Sequence, residues 1–227
     1  MKKLIVFALL IVMGVSSFAT SIKTRMRPQD KFIIETFTDI WQNKPAEIKS
    51  GSLDRGVSIS WFYDYPIAKS NFSVAAGLNY TSHNFYTKSH IYTRVGTTDV
   101  FDFVAIDDGI KVKKSKISLN YIGIPIEARF FVRSLPKTLR IHAGFKAGYL
   151  VSGYSKYSGK DLAGNNYDVK FREYSLGNVD DVFYGITARI GYGRINVFGF
   201  YPLKSVFSGN SVEEMTPISL GLTLILF

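Results

Sequence analysis

The chain has 227 residues, no cysteine, 28 basic against 18 acidic residues, and 15% aromatics, among them 14 tyrosines and 18 phenylalanines. The lack of cysteine excludes disulfides, thiolate metal sites, cysteine nucleophiles and an acylated lipoprotein cysteine. The length suits one domain, and the basic balance favours lipid phosphates or acidic glycans as partners; no nucleic-acid fold signature accompanies it.

Residues 1–19 read as an export signal. Lys2 and Lys3 form a positive start, Leu4 to Val15 is apolar, and Ser17-Phe18-Ala19 puts small residues where a signal peptidase cuts, before Thr20. The apolar run is shorter than the roughly 20 residues of a membrane helix, and no run long enough follows. The signal takes two basic residues and no acidic one, which leaves residues 20–227, the predicted barrel domain, at +8. Inside a membrane that domain crosses as strands, because only helices and closed barrels satisfy every backbone N–H and C=O in hydrocarbon.

Strands are predicted at 31–42, 56–65, 71–83, 116–133, 138–153, 182–193, 194–205 and 215–227. The clearest is the fifth. There Leu139, Ile141, Ala143, Phe145, Ala147, Tyr149 and Val151 share one face, and Arg140, His142, Gly144, Lys146 and Gly148 the other. A helix would scatter both sets, whereas a strand separates them. Between the strands, the connections at Pro66–Ser70, Ser134–Lys137 and Gly191–Gly193 are tight. Those at Asn43–Arg55, Asn84–Ser115, Tyr154–Asp181 and Val206–Glu214 are long. Eight strands with alternating short turns and long loops predict an all-β, eight-stranded antiparallel transmembrane β-barrel in a bacterial outer membrane, with turns periplasmic and loops outside. Aromatic girdles are expected at Tyr63, Tyr65, Phe72, Phe130 and Phe131 on the periplasmic side. On the outer side they fall at Trp41, Tyr80, Tyr149, Tyr184 and Tyr201.

Three segments carry a family resemblance: Leu119-Asn-Tyr-Ile-Gly-Ile-Pro-Ile126, Arg55-Gly-Val-Ser-Ile-Ser60 and Pro217-Ile-Ser-Leu-Gly-Leu-Thr-Leu-Ile-Leu-Phe227. They resemble the L-x-Y-L-x-I-P-L strand, the second strand and the closing strand of the Bacteroidetes outer-membrane β-barrel proteins, the porin-family or PorT-like group. The resemblance implies an eight-stranded barrel and no single activity. The last strand departs from the usual pattern, since Ile218, Leu220, Leu222, Leu224 and Leu226 run out of phase with the terminal Phe227. Either Phe227 lies past the last pleat or a bulge shifts the register.

Extending the alternation around the barrel places Glu35, Asp39, Asp64 and Glu127 in the lumen with Arg129, Arg140, Lys146, Arg189 and Arg194. The signs nearly cancel in a space just wide enough for side chains to fill, so a plugged lumen is expected. A soluble lipocalin-like barrel would instead put apolar residues inside, and the destination of Arg140 and Lys146 decides between them. No enzymatic role is expected. His83, His90 and His142 lack a diagnostic partner spacing, Ser82-His83 comes without a nucleophile elbow, and Asp107-Asp108 beside Gly109 reads as turn chemistry. No cofactor or metal-ligand cluster is recognisable. Lys111, Lys113, Lys114 and Lys116 precede a membrane strand, either as a contact for lipopolysaccharide phosphates or as a solvated strand extension. The expected function is a structural or interaction barrel that presents loops, with envelope proteins and outer-membrane lipid as partners. The alternatives are a component of a secretion or gliding machine and a narrow solute channel.

Overall fold

The computed structural model describes residues 30–42, 53–68, 70–87, 89–94, 100–106, 109–132, 137–163, 165–174, 176, 179–207 and 216–226. The predicted signal at 1–19, Asp107-Asp108, Ser134 and Phe227 lie outside the described residues.

Eleven strands follow in order: β1 (Phe32–Gln42), β2 (Arg55–Pro66), β3 (Phe72–Tyr86), β4 (Ser89–Arg94), β5 (Val100–Ala105), β6 (Val112–Phe131), β7 (Leu139–Lys160), β8 (Asp168–Glu173), β9 (Val182–Tyr192), β10 (Ile195–Pro202) and β11 (Thr216–Ile225). Eight of them close a ring in which every neighbour is antiparallel: β1-β2-β3-β6-β7-β9-β10-β11, with β11 back on β1. Closure leaves no open edge within the ring. The remaining three belong to two connections predicted as loops. β4 and β5 form a separate hairpin between β3 and β6, and β8 pairs with the far end of β7.

Period-two alternation generates this shape. On β7 Leu139, Ile141, Phe145, Tyr149 and Val151 face outward and are 39–55% exposed, while Arg140, His142 and Lys146 turn inward and are nearly inaccessible. Arg140 and Lys146 thus point into the barrel, opposite to the lipocalin arrangement. Apolar side chains cover the outside of the other strands too, including Trp61, Leu78, Ile122, Ile124, Ile126, Ile186, Val197 and Leu222. Tyr63, Tyr65 and Phe72 lie outward at the turn end, and Tyr80, Tyr149 and Tyr201 at the loop end. Two expected girdle residues do not. Phe131 is 2% exposed and packs edge-on to His142. Trp41 shares the inward face of Phe37 and Asp39, its ring against Phe85 and Phe207 and its Nε1–H donating to Asp54 at 2.9 Å. Strand parity overrides the aromatic's preference for an interface at both positions.

The strand boundaries follow the predicted ones except at the loop end. β3, β6 and β7 reach 15, 20 and 22 residues, against about 9–11 for a tilted crossing, so their far ends form a wall beyond the span. A bulge marks the change: Asn120 pairs Ser152 and Tyr121 pairs Leu150, which leaves Val151 as the extra residue. Past it the inward residues of β7 become Ser155 and Tyr157. β11, by contrast, keeps one unbroken register from Thr216 to Ile225 against β1, so a bulge does not explain the phase of Leu220, Leu222 and Leu224. At the turn end Leu226 N–H donates to the Phe32 carbonyl at 3.0 Å. The β9–β10 corner is two residues, Gly193 and Arg194, and Gly193 takes φ 65°, which the tight turn requires and glycine allows.

Candidate functional site

The lumen is filled in two storeys. At the turn end it is ionic. Arg189 donates from Nε to Glu35 Oε1 at 3.0 Å and from Nη2 to Glu127 Oε1. Arg129 pairs with Glu127 at 3.0 Å and approaches Asp64 at 3.8 Å, and its guanidinium lies over the Phe62 ring at 4.4 Å. Arg140 comes within 3.4 Å of Asp30, and His142 lies between Asp30 and Glu127 at 3.7 and 3.9 Å. All of these side chains are at most 4% exposed. An unpaired charge in such a space is costly, so the guanidiniums sit beside carboxylates, Arg129 with Glu127 of its own strand and Arg189 with Glu35 and Glu127 of other strands.

Toward the loop end the filling turns aromatic. Phe37, Phe85, Leu119, Tyr121, Phe183, Phe198, Phe200 and Phe207 form a continuous buried cluster. Glycines on the inner face make room for the rings: a Cβ on Gly56 would fall 1.9 Å from the Phe37 ring, and one on Gly148 would fall 2.2 Å from Phe183. Lys146 sits at the junction. Its ammonium lies 4.6 Å from the Phe200 centroid and 5.5 Å from that of Phe183, with Thr81 Oγ1 at 3.5 Å. Cation–π attraction replaces a carboxylate here. Asp39 also stands apart from the arginines, accepting from Ser219 Oγ at 2.6 Å and meeting His83 Nδ1 at 2.9 Å.

The structure therefore brings Glu35, Asp64, Glu127, Arg129, Arg140 and Arg189 into one turn-end layer and puts Asp39 and Lys146 above it. Arg194 does not join them. It occupies the exposed second position of the Gly193–Arg194 turn, where pleat alternation no longer applies, and the inward series of β10 starts at Asn196. Asp30 belongs to the layer although alternation does not select it: it precedes β1, is buried, and meets Arg140 and His142, while its carbonyl accepts from Arg129 Nη1. With Asp30 included, and with Asp54 buried beside Trp41 at the loop end, the described lumen holds six acids (Asp30, Glu35, Asp39, Asp54, Asp64, Glu127) and four bases (Arg129, Arg140, Lys146, Arg189).

The Ser82-His83 pair is not brought together. Ser82 and His83 alternate on β3, His83 buried inward and Ser82 on the outer face beside Asn84. His90 lies on β4, and its side chain lies outside the described residues. Among the described residues no group of three His, Cys, Asp or Glu side chains suits a metal ion.

The Lys111–Lys116 run lies on the wall above the span. Lys113 pairs with Asp168 at 2.6 Å, and Asp168 also meets Lys160 at 3.3 Å. Lys113 and Lys160 hold the Asp168 carboxyl below the usual carboxylate range. The Lys114 ammonium lies 5.7 Å from the Tyr86 centroid; Lys116 donates to Asn84 Oδ1 and lies 5.7 Å from Tyr154. Lys111 is exposed at the foot of β6.

Comparison with known proteins gives three results. A protein-family model described as "Outer membrane protein beta-barrel domain" matches residues 29–208. Among curated proteins nothing matches. Among solved structures a similar chain is Ail, the attachment invasion locus protein of Yersinia pestis, crystallised in complex with the heparin analogue sucrose octasulfate. It is 8% identical, the match covers 85% of this chain and 94% of that chain, and the TM-score is 0.34.

Proposed function

Because the chain belongs to the outer membrane protein β-barrel domain family and so resides in the bacterial outer membrane, we propose that it is a plugged structural or interaction barrel whose working surface is its extracellular end. One observation carries this. Arg189 on β9 reaches Glu127 on β6, two strands away around the ring, and Glu35 on β1, three strands away, and so ties three walls together. An aromatic plug lies above that tie. An ion-selective pore would instead line its bore with one dominant sign. No catalytic role is assigned, since Ser82 and His83 face opposite sides of their strand.

A PorT-like place in a secretion or gliding machine draws on the resemblance of three segments, Arg55–Ser60, Leu119–Ile126 and Pro217–Phe227, of which the last two are the distinctive ones. Co-purification from native membranes would identify such partners. Of the lysines 111, 113, 114 and 116, Lys113 is taken by Asp168, and Lys111, Lys114 and Lys116 enter this proposal as a contact for phosphates of outer-leaflet lipopolysaccharide.

Planar-bilayer recording tests the plug. Pure wild-type protein is expected to give no sustained open channel, and reproducible conductance steps would overturn the plugged lumen in favour of a narrow solute channel.

A further inference from the structure

The register of β3, β6, β7 and β8 stacks the outward side chains in rows above the apolar belt. Tyr80, Ile122 and Tyr149 are direct cross-strand neighbours and form the belt's upper rim. Ser82, Asn120 and Ser152 follow, then Asn84, Ser118 and Tyr154. Above them one row reads Tyr86, Lys116, Lys156 and Arg172, and the next Lys114, Ser158 and Lys170. Like charges directly opposite on one face repel, yet Lys116, Lys156 and Arg172 are consecutive partners. Among the described residues the carboxylate paired to this face is Asp168, at the tip, and it is taken by Lys113 and Lys160. Lys114, Lys116, Lys156, Lys170 and Arg172 have no carboxylate partner among the described residues.

Tyrosines lie beside three of these cations: Tyr86 by Lys114, and Tyr154 by Lys116 and Arg172. The Arg172 guanidinium lies 4.5 Å from the Tyr154 centroid and donates from Nη1 to Tyr174 Oη at 3.0 Å, contacts that orient its plane on the sheet. A guanidinium so oriented can take a phosphate bidentately, with the neighbouring ammonium groups as point charges.

We propose that this outward face of β6, β7 and β8, centred on Lys116, Lys156, Lys170 and Arg172, is a binding site for the phosphate groups of outer-leaflet lipopolysaccharide. The proposal rests on the loop end facing outward, and it moves the site from the Lys111–Lys116 run to rows that cross three strands. Lys113, diverted to Asp168, drops out of it. Height and continuity select the lipid-borne source. Lys116 lies six residues beyond Ile122, about 20 Å along the strand at the usual rise, hence about 14 Å along the normal at a barrel's tilt. That height is above hydrocarbon, in the headgroup and inner saccharide layer, and on the same face that meets lipid below.

The test uses the full barrel, purified in detergent, with three probes. These are deep-rough lipopolysaccharide, the same material dephosphorylated with hydrofluoric acid, and its soluble phosphorylated oligosaccharide without acyl chains. Combining Lys116→Gln, Lys156→Gln, Lys170→Gln and Arg172→Gln should weaken binding of the first probe by at least about tenfold. The dephosphorylated probe should bind weakly to wild type and variant alike. Arg172→Lys, which keeps the charge and loses the fork, should give a smaller loss and serves if the combined variant does not fold. Equal binding of the first two probes by wild type, or no loss in either variant, would overturn the site. Acyl-free oligosaccharide binding as tightly as the intact glycolipid would overturn the leaflet as its source. Binding is read on isolated protein, so either failure leaves the plugged lumen untouched.

Discussion

Glu127 holds two arginines at once, with Arg129 at 3.0 Å and Arg189 on its other oxygen, and it is 2% exposed. Glu127→Ala strips both guanidiniums of their shared counter-ion, and breaking a buried pair costs about 3–5 kcal/mol where water is excluded. Arg140→Ala should cost less, because its contact with Asp30 is longer, at 3.4 Å, and lies at the mouth. Urea titration of both variants in lipid checks the order, and an Arg140 variant weaker than the Glu127 variant would refute it. Most of this layer was legible because its members sit at alternate positions of strands whose other face is apolar, as with Arg140, His142 and Lys146 between Leu139 and Tyr149. Alternation stops where the pleat stops. It therefore missed Asp30, which enters from outside β1, and wrongly admitted Arg194, which sits in a turn. Nor does it say who pairs with whom: that Asp39 takes His83 and Ser219, and Lys146 three rings, depends on depth in the barrel.

At the scale of the strand, lipid sees one face and the packed lumen the other, and substitutions on the two faces of β7 fail for different reasons. Phe145 is 42% exposed on the outer face. An arginine there meets hydrocarbon, at a cost of roughly 2–4 kcal/mol near the midplane, and should impair folding into lipid vesicles. Gly148, on the other face, lies against Phe183, and its added Cβ at 2.2 Å has a ring in its way. Gly148→Ala should cost about 1–3 kcal/mol as overpacking, and Phe183→Leu in the same chain should restore part of it; no recovery would place the strain elsewhere. The transmembrane strands were readable because apolar and polar residues alternate along them. The extensions of β6 and β7 were not. Their outward residues are Lys114, Lys116, Tyr154, Lys156 and Ser158, and beyond the belt neither face is uniformly apolar, so the period-two contrast fades and the segment looks like loop.

For the whole molecule, the orientation follows from closure. β1 and β11 pair side by side, so the chain enters and leaves the ring at the same end, the end of the tight turns. In an outer-membrane barrel that end is periplasmic, which directs the long wall of β6, β7 and β8 outward. The exposed turn joining β7 to β8 then becomes the natural cleavage site, with residues 165–168 open to solvent and Lys160 next to it. Trypsin added to intact cells is expected to cut after Lys160 and to spare Lys137, which lies in the tight connection between β6 and β7. The β-pairing of β7 with β8, from Ser155–Glu173 to Lys160–Asp168, should slow this cleavage without preventing it. Replacing Asp168 with Asn releases Lys113 and Lys160 from their shared carboxylate and should speed cutting at the tip while leaving the stability of the barrel to urea unchanged. Protection of Lys160 combined with cutting after Lys137 in intact cells would invert the barrel, and would place the cationic wall in the periplasm, away from any outer-leaflet phosphate.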